Sequence, residues 1–236
     1  MSSLVLRFAG TQAWGAQATD DYRPSQRVPT RRGVLGFLMA ARGTGIEDQR
    51  AYIEAASDWR ILARADQPGE MFIDYQTVNP VEDMAVTQRW ARNGWESGKN
   101  KNLMKKNLHP LRNLDGGAKT QTEAAISRRG YLAGAEFIIA IEAADDVISA
   151  LCSDVSDPAF GWFLGRKNCI PKLPVVLGVA EGSAESTLAA LASCNDGAVR
   201  VYDVAGDYNA ERIVATHTGL PHLTSIEDWK TLCTFP

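Results

Sequence analysis

Apolar residues in this chain fall into two rhythms, short mostly apolar runs and a three-to-four-residue spacing, and each predicts an element. Leu4-Val-Leu-Arg-Phe8 is apolar at every position but Arg7, the pattern of a buried strand. Val34 to Ala41 is an apolar helical stretch. Thr30 before it is a good N-cap residue, and Gly43 lies just past its last apolar position, where helices commonly stop. A second helix is expected over about Glu47–Trp59, with Tyr52, Ile53 and Ala56 on its apolar side. Ile61–Ala65 and Met71–Tyr75 read as strands around a Gln67-Pro-Gly69 turn. Ala135–Ile141 is again a buried-type strand, and a helix over about Ala144–Ser153 follows, with Val147, Ile148 and Leu151 facing it. Beyond these come a strand ending Pro174-Val-Val-Leu-Gly178, a helix near Ser183–Leu191 and a strand at Val199–Val204. Strand, helix, strand, strand, helix is the ferredoxin-like order of an α/β (α+β) domain, the order that also underlies RNA-recognition domains. The expectation is one domain over residues 1–236, with a less regular part from about 179 to 236.

One stretch breaks both rhythms. From Gln76 to about Ile126 the chain has little periodicity and is rich in Asn, Gly and Lys. Between Arg92 and Lys119, Arg92, Lys99, Lys101, Lys105, Lys106, Arg112 and Lys119 stand against only Glu96 and Asp115, with Trp90 and Trp95 nearby. Cations interleaved with aromatics suit nucleic acid, through phosphate neutralisation and base stacking. A solvated loop is the competing explanation from charge alone. The net charge of the whole chain is -3 and its isoelectric point is near 5.7, which argues against a free-standing, non-specific DNA binder. A local basic groove on a subunit of a larger particle remains compatible with those values.

A second cationic feature is Arg31-Arg32 in the first turn of the Val34–Ala41 helix. Cations are unfavourable at a helix N-terminus unless an anion joins them, so the pair makes either a phosphate site or two solvated charges. The cysteines, Cys152, Cys169, Cys194 and Cys233, match no zinc spacing and form no CxxC pair. No metal or cofactor is expected. A charged leader and a long apolar segment are both lacking, so a cytoplasmic protein without membrane association is the expectation. The chain has no P-loop, no dinucleotide fingerprint, no HExxH and no nucleophile elbow. Asp145-Asp146, ahead of a predicted helix, reads as N-capping. His109, His217 and His222 are isolated; His109 with Lys105 is the only pairing that suggests proton transfer on RNA.

Leu6-Arg-Phe-Ala-Gly, Gln12-Ala-Trp-Gly15, Val28-Pro-Thr-Arg-Arg-Gly33, Asp74-Tyr-Gln-Thr-Val78, Arg129-Gly-Tyr-Leu132 and Phe163-Leu-Gly-Arg-Lys-Asn-Cys169 together resemble the CasD subunit family of type I-E CRISPR Cascade. The resemblance runs in order from the N-terminus to about Gly178. It implies an RRM-like domain with a protruding β-hairpin thumb, here the inserted segment at about 76–126. It also implies a non-catalytic antiviral-defence subunit that holds the 5′ handle of the crRNA and caps a ribonucleoprotein filament. Its partners would be the crRNA, the backbone subunit CasC and the large subunit CasA, with target DNA met only through the assembled complex. Relatives in type I-C systems cut precursor RNA, so a metal-independent endoribonuclease is one alternative; an adaptor whose basic insertion binds an acidic protein is another.

The candidate RNA-binding residues are Gln12, Trp14, Arg27, Thr30, Arg31, Arg32, Lys105, Lys106, Arg128, Arg129, Tyr131, Arg166 and Lys167. The arginines and lysines would meet phosphates, Gln12 and Thr30 would hydrogen-bond bases or sugars, and Trp14 would stack. Trp14 fits core packing equally well, Arg128 fits a plain surface charge, and Lys167 fits a partner-facing position.

Overall fold

The computed structural model describes residues 2–19, 21–78, 125–195, 197–205 and 212–218. The described residues divide into two compact units. One contains residues up to 19, 23–73 and those from 130 onward; the other contains 21–22, 74–78 and 125–129. The expected insertion at 76–126 lies almost wholly outside the described residues, as do Lys105, Lys106, His109, His222 and Trp229.

An eight-stranded antiparallel sheet forms the larger part of the structure. Its strands are β1 (Ser2–Gln12), β3 (Tyr22–Arg23), β5 (Arg60–Gln67), β6 (Glu70–Val78), β7 (Ala125–Ala143), β8 (Val176–Glu181), β9 (Val199–Asp203) and β10 (Arg212–His217). The main path runs β10-β9-β5-β7-β1-β8, and β3 and β6 also pair with β7. A separate two-stranded ladder joins β2 (Trp14–Gly15) to β4 (Ser25–Gln26). The helices among the described residues are α1 (Arg31–Arg42), α2 (Gln49–Ala55, after a 3-10 turn at Ile46–Asp48), α3 (Asp145–Ser156) and α4 (Ala184–Ala190). None of the described helices is long and apolar enough to cross a membrane.

The mostly apolar runs are explained by burial on both sides of the sheet, and their one charged residue each, Arg7 and Glu136, pair at 2.9 Å. Strand β1 lies between β7 and β8, with Leu4 opposite Ile141 and Phe8 opposite Phe137 on the β7 side. Side chains alternate across a strand. Leu4, Leu6 and Phe8 therefore enter one core with Phe137, Ile139 and Ile141 of β7 and the buried faces of α1 and α3. Val5 enters a second core with Leu62, Ile138, Ala140, Leu177 and the α4 residues Ala184 and Leu188.

Local signals placed most boundaries well. The Thr30 hydroxyl accepts from the Gly33 N–H at 3.2 Å, and Gly43 closes α1 with φ +76°. Ser183 caps α4 by accepting from the Ser186 N–H at 3.2 Å. Three expectations need correction. The second helix covers Gln49–Ala55 only, preceded by the 3-10 turn, and no side chain caps its start. Strand β8 begins at Val176, beyond Pro174, whose ring removes the N–H a ladder needs. Asp145 and Asp146 do not cap α3, because Ala144 holds that position. They occupy the first turn, where negative charge complements the helix dipole, and Asp145 accepts from the Ser2 hydroxyl at 2.8 Å.

The second core also contains an ion pair with no exposed surface. Arg64 and Asp66 are both 0% exposed at their side chains. Arg64 donates Nε–H and one Nη2–H to the Asp66 carboxylate at 2.6 and 2.9 Å. Its remaining N–H groups reach the carbonyls of Leu188, Leu191 and Ala192 at 2.6, 2.7 and 2.6 Å. The guanidinium thereby satisfies the C-terminal carbonyls of α4 and joins that helix to β5. Burial pushes the Asp66 carboxyl above its ordinary range, and Arg64 and Ser193 oppose that shift. Asp66→Ala leaves a buried guanidinium half-paired and is expected to lower stability by roughly 3–5 kcal/mol in urea denaturation of the purified chain.

Candidate nucleic-acid interface

A cleft of about 320 Å³ opens beside the N-terminus of α1. Its walls are Ala13, Trp14, Gly15, Ala16 and Pro24 on one side, Thr30, Arg32 and Gly33 from α1, and Gly165-Arg166 from a loop. Three close backbone approaches build it. The Ala13 N–H donates to the Leu164 carbonyl at 2.9 Å, and Gly165 has φ +93°. A Cβ on Gly165 would stand 1.8 Å from the Ala13 carbonyl oxygen, so only glycine lets the loop close. Gly33 similarly sits under the Trp14 ring, which a Cβ would meet at 2.7 Å. At the third, Gly130 lies against the backbone of Pro24 and Ser25.

The arginines of α1 have opposite fates. The Arg31 guanidinium donates to the Trp59 carbonyl at 3.0 Å and to the Ala56 carbonyl. Arg31 therefore resolves its unfavourable position at a helix start by satisfying carbonyls at the C-terminal end of α2, where positive charge is favoured. Arg31 is not among the residues that line the cleft. Arg32 is exposed, lines the cleft, and makes no side-chain hydrogen bond or ion pair among the described residues.

Arg166 is half-buried and clamped. It donates to the Gly130 carbonyl at 3.1 Å and to the Arg23 carbonyl at 2.9 Å. Its guanidinium carbon lies 4.7 Å from the centroid of the Tyr131 ring. Tyr131 is buried; it stacks on Phe72 at 5.3 Å, and its hydroxyl accepts from Asn168 Nδ2 at 2.9 Å.

Other expected contacts are internal. Gln12 is 0% exposed. Its amide nitrogen donates to the carbonyls of Phe8 and Ala135 at 2.8 and 3.1 Å, and its oxygen accepts the Trp14 indole N–H at 2.8 Å. Trp14 is 1% exposed and stacked on Phe8. Neither side chain offers a free face, because the bulge after Gly10 turns Gln12 inward to satisfy backbone groups that the ladder leaves. Thr30 spends its hydroxyl on the helix cap. Arg27 and Lys167 are exposed and lie outside the cleft lining.

The second unit holds Arg128 and Arg129. Arg128 pairs with Asp21 through both carboxylate oxygens at 3.0–3.1 Å and lies 5.7 Å from the Tyr22 ring centroid. The Arg128 hydrogen bond holds the Asp21 carboxyl below its ordinary range. The Arg129 Nε–H donates to the Ser127 hydroxyl at 3.3 Å. The cleft thus brings together Trp14, Thr30, Arg32 and Arg166, with Tyr131 beneath Arg166. Pro24, Ala16 and Phe72 went unnoticed in the sequence, since nothing local marks a wall residue or a ring that stacks across strands.

The class of protein follows from comparing this α/β chain with known ones. Residues 3–219 match the family described as CRISPR-associated protein (Cas_Cas5), and the chain belongs to that family. The CRISPR system Cascade subunit CasD of Escherichia coli (strain K12) is 30% identical over 188 residues, spanning 77% of this chain and 73% of that protein. A chain of a CRISPR RNA-guided surveillance complex shares the fold at a TM-score of 0.67 and 17% identity, covering 98% of this chain and 97% of its own. A crystal structure of a Cas protein shares it at 0.53 and 22% identity over 91% of each chain.

Gly165→Ala should lower stability by about 1–3 kcal/mol or more, because the new methyl cannot fit against Ala13. Gly36→Ala, inside α1 with nothing within 4 Å of the new methyl, should instead raise it by up to about 1 kcal/mol. Thermal melting of the two variants beside the parent chain checks both.

Proposed function

We propose that this chain is a non-catalytic subunit of a CRISPR Cascade surveillance complex, where it holds the 5′ handle of the crRNA. The observation that carries the reading is the cleft, with Arg32 unpaired on one wall and Arg166 fixed on another. Single-stranded RNA is held in part by phosphate contacts and by stacking, and this surface presents a cation and a guanidinium plane for them. Kinship with CasD supports the Cascade assignment. An RRM-like core is supported by the antiparallel order β5-β7-β1-β8 among the strands that alternate with α1 and α3. The same reading carries a single domain with a basic thumb at about 76–126, contacts to CasC and CasA, and a cytoplasmic location.

Incubation of the purified chain with labelled precursor crRNA and a magnesium chelator, run on native and denaturing gels, tests this directly. A shifted, uncut RNA whose binding depends on handle sequence is the expected result. Cut RNA would make the chain a metal-independent nuclease, and binding indifferent to handle sequence would remove handle recognition. Arg32→Gln is expected to reduce the slope of log K against log salt by about 0.7, the loss of one phosphate contact on a single strand. Arg31→Gln is expected to leave that slope unchanged and to lower folding stability by roughly 1–3 kcal/mol, because two buried carbonyl contacts are lost. Titrations at several salt concentrations, paired with denaturation curves, separate the two arginines.

A further inference from the structure

We infer that the cleft is a pocket for one unstacked nucleotide of a single-stranded RNA, whose base lies flat on the Arg166 guanidinium and whose phosphate pairs with Arg32. This rests on the RNA-binding reading above and names the group that does the stacking.

Trp14, for which stacking and core packing fitted the sequence equally, is sealed into the core. Arg166 offers the alternative surface. Its guanidinium is planar, and arginine planes stack on bases as aromatic rings do. Tyr131 supports one face of it at 4.7 Å, while the carbonyls of Gly130 and Arg23 hold its edge. Tyr131 is in turn fixed by Phe72 and Asn168. Little side-chain freedom remains to be lost when a base arrives, which is the condition under which a contact adds affinity.

The surroundings fit a flat ring. Ala13, Gly15, Ala16 and Pro24 are short or ring-shaped walls, and about 320 Å³ lies at the small end of ligand-pocket volumes. Arg32 adds an exposed cation to the same cleft, the complement of the charge a nucleotide carries beside its base. Gly165 fixes the loop so tightly on Ala13 that Arg166 is the first side chain it presents there.

The test uses the full-length chain and a set of handle RNAs, each with one abasic nucleotide, with affinities read by fluorescence anisotropy at constant salt. One abasic position should weaken binding by roughly 5- to 150-fold, the range for loss of one base stack. Arg166→Lys keeps the charge and removes the plane. It should weaken the intact RNA by a similar factor, and the same abasic position should then cause no further loss. A flat abasic profile on the native chain, with the RNA still bound, overturns the pocket and leaves the RNA-binding reading standing. An abasic loss that persists at full size in Arg166→Lys also overturns it. Failure of every handle RNA to bind at low salt overturns both. The abasic series needs no change to the protein, so a folding defect in Arg166→Lys cannot mask the answer.

Discussion

Strand β7 is the constraint on which the rest of the structure depends. Its 19 residues pair with β1 and β5 along the main path and with β3 and β6 beside it. Its alternating side chains feed both cores, with Phe137, Ile139 and Ile141 on one face and Ile138 and Ala140 on the other. A one-residue slip would exchange the two sets, so the double burial fixes the register strongly. That register sets the position of Ala135, whose carbonyl accepts from the buried Gln12 amide, and of Gly130, whose carbonyl clamps Arg166. The site is therefore a consequence of strand pairing several residues away from it.

Charge is distributed by the same logic. Arg31 and Arg64 satisfy carbonyls at helix C-terminal ends, each serving a different helix. Arg128 meets Asp21. In the cleft, Arg166 is half-committed to carbonyls, and Arg32 is the cation there that has not been used internally. Among the described residues, the guanidinium groups of Arg31, Arg64 and Arg128 serve the fold before they serve any ligand.

Much of the fold was legible because its local signals are strong. Helix α1 has a hydroxyl cap, a stripe of apolar residues and a left-handed glycine stop within fifteen positions, and the structure follows all three. The mostly apolar runs at Leu4–Phe8 and Ala135–Ile141 marked buried strands. Strand β10 and the two-residue pieces β2, β3 and β4 were not visible, since such short or polar segments form only against partners already in place. Among the candidate residues, Arg32 and Arg166 line the cleft, whereas Gln12 and Trp14 are sealed in the core and Arg31 is turned to carbonyls.

What the sequence determined by itself was the kind of element wherever local signals are strong, together with the family motifs. These depend on neighbours within one or two turns of chain, through capping, spacing and backbone freedom. Only the tertiary structure decided which arginine faces outward and which is turned to a carbonyl. Arg31 and Arg32 are adjacent in sequence and equal in charge, but the end of α2 lies within reach of one and not the other. The partners that made that choice, at Ala56 and Trp59, come within reach only when the helices pack, and no local pattern encodes a distance across the fold.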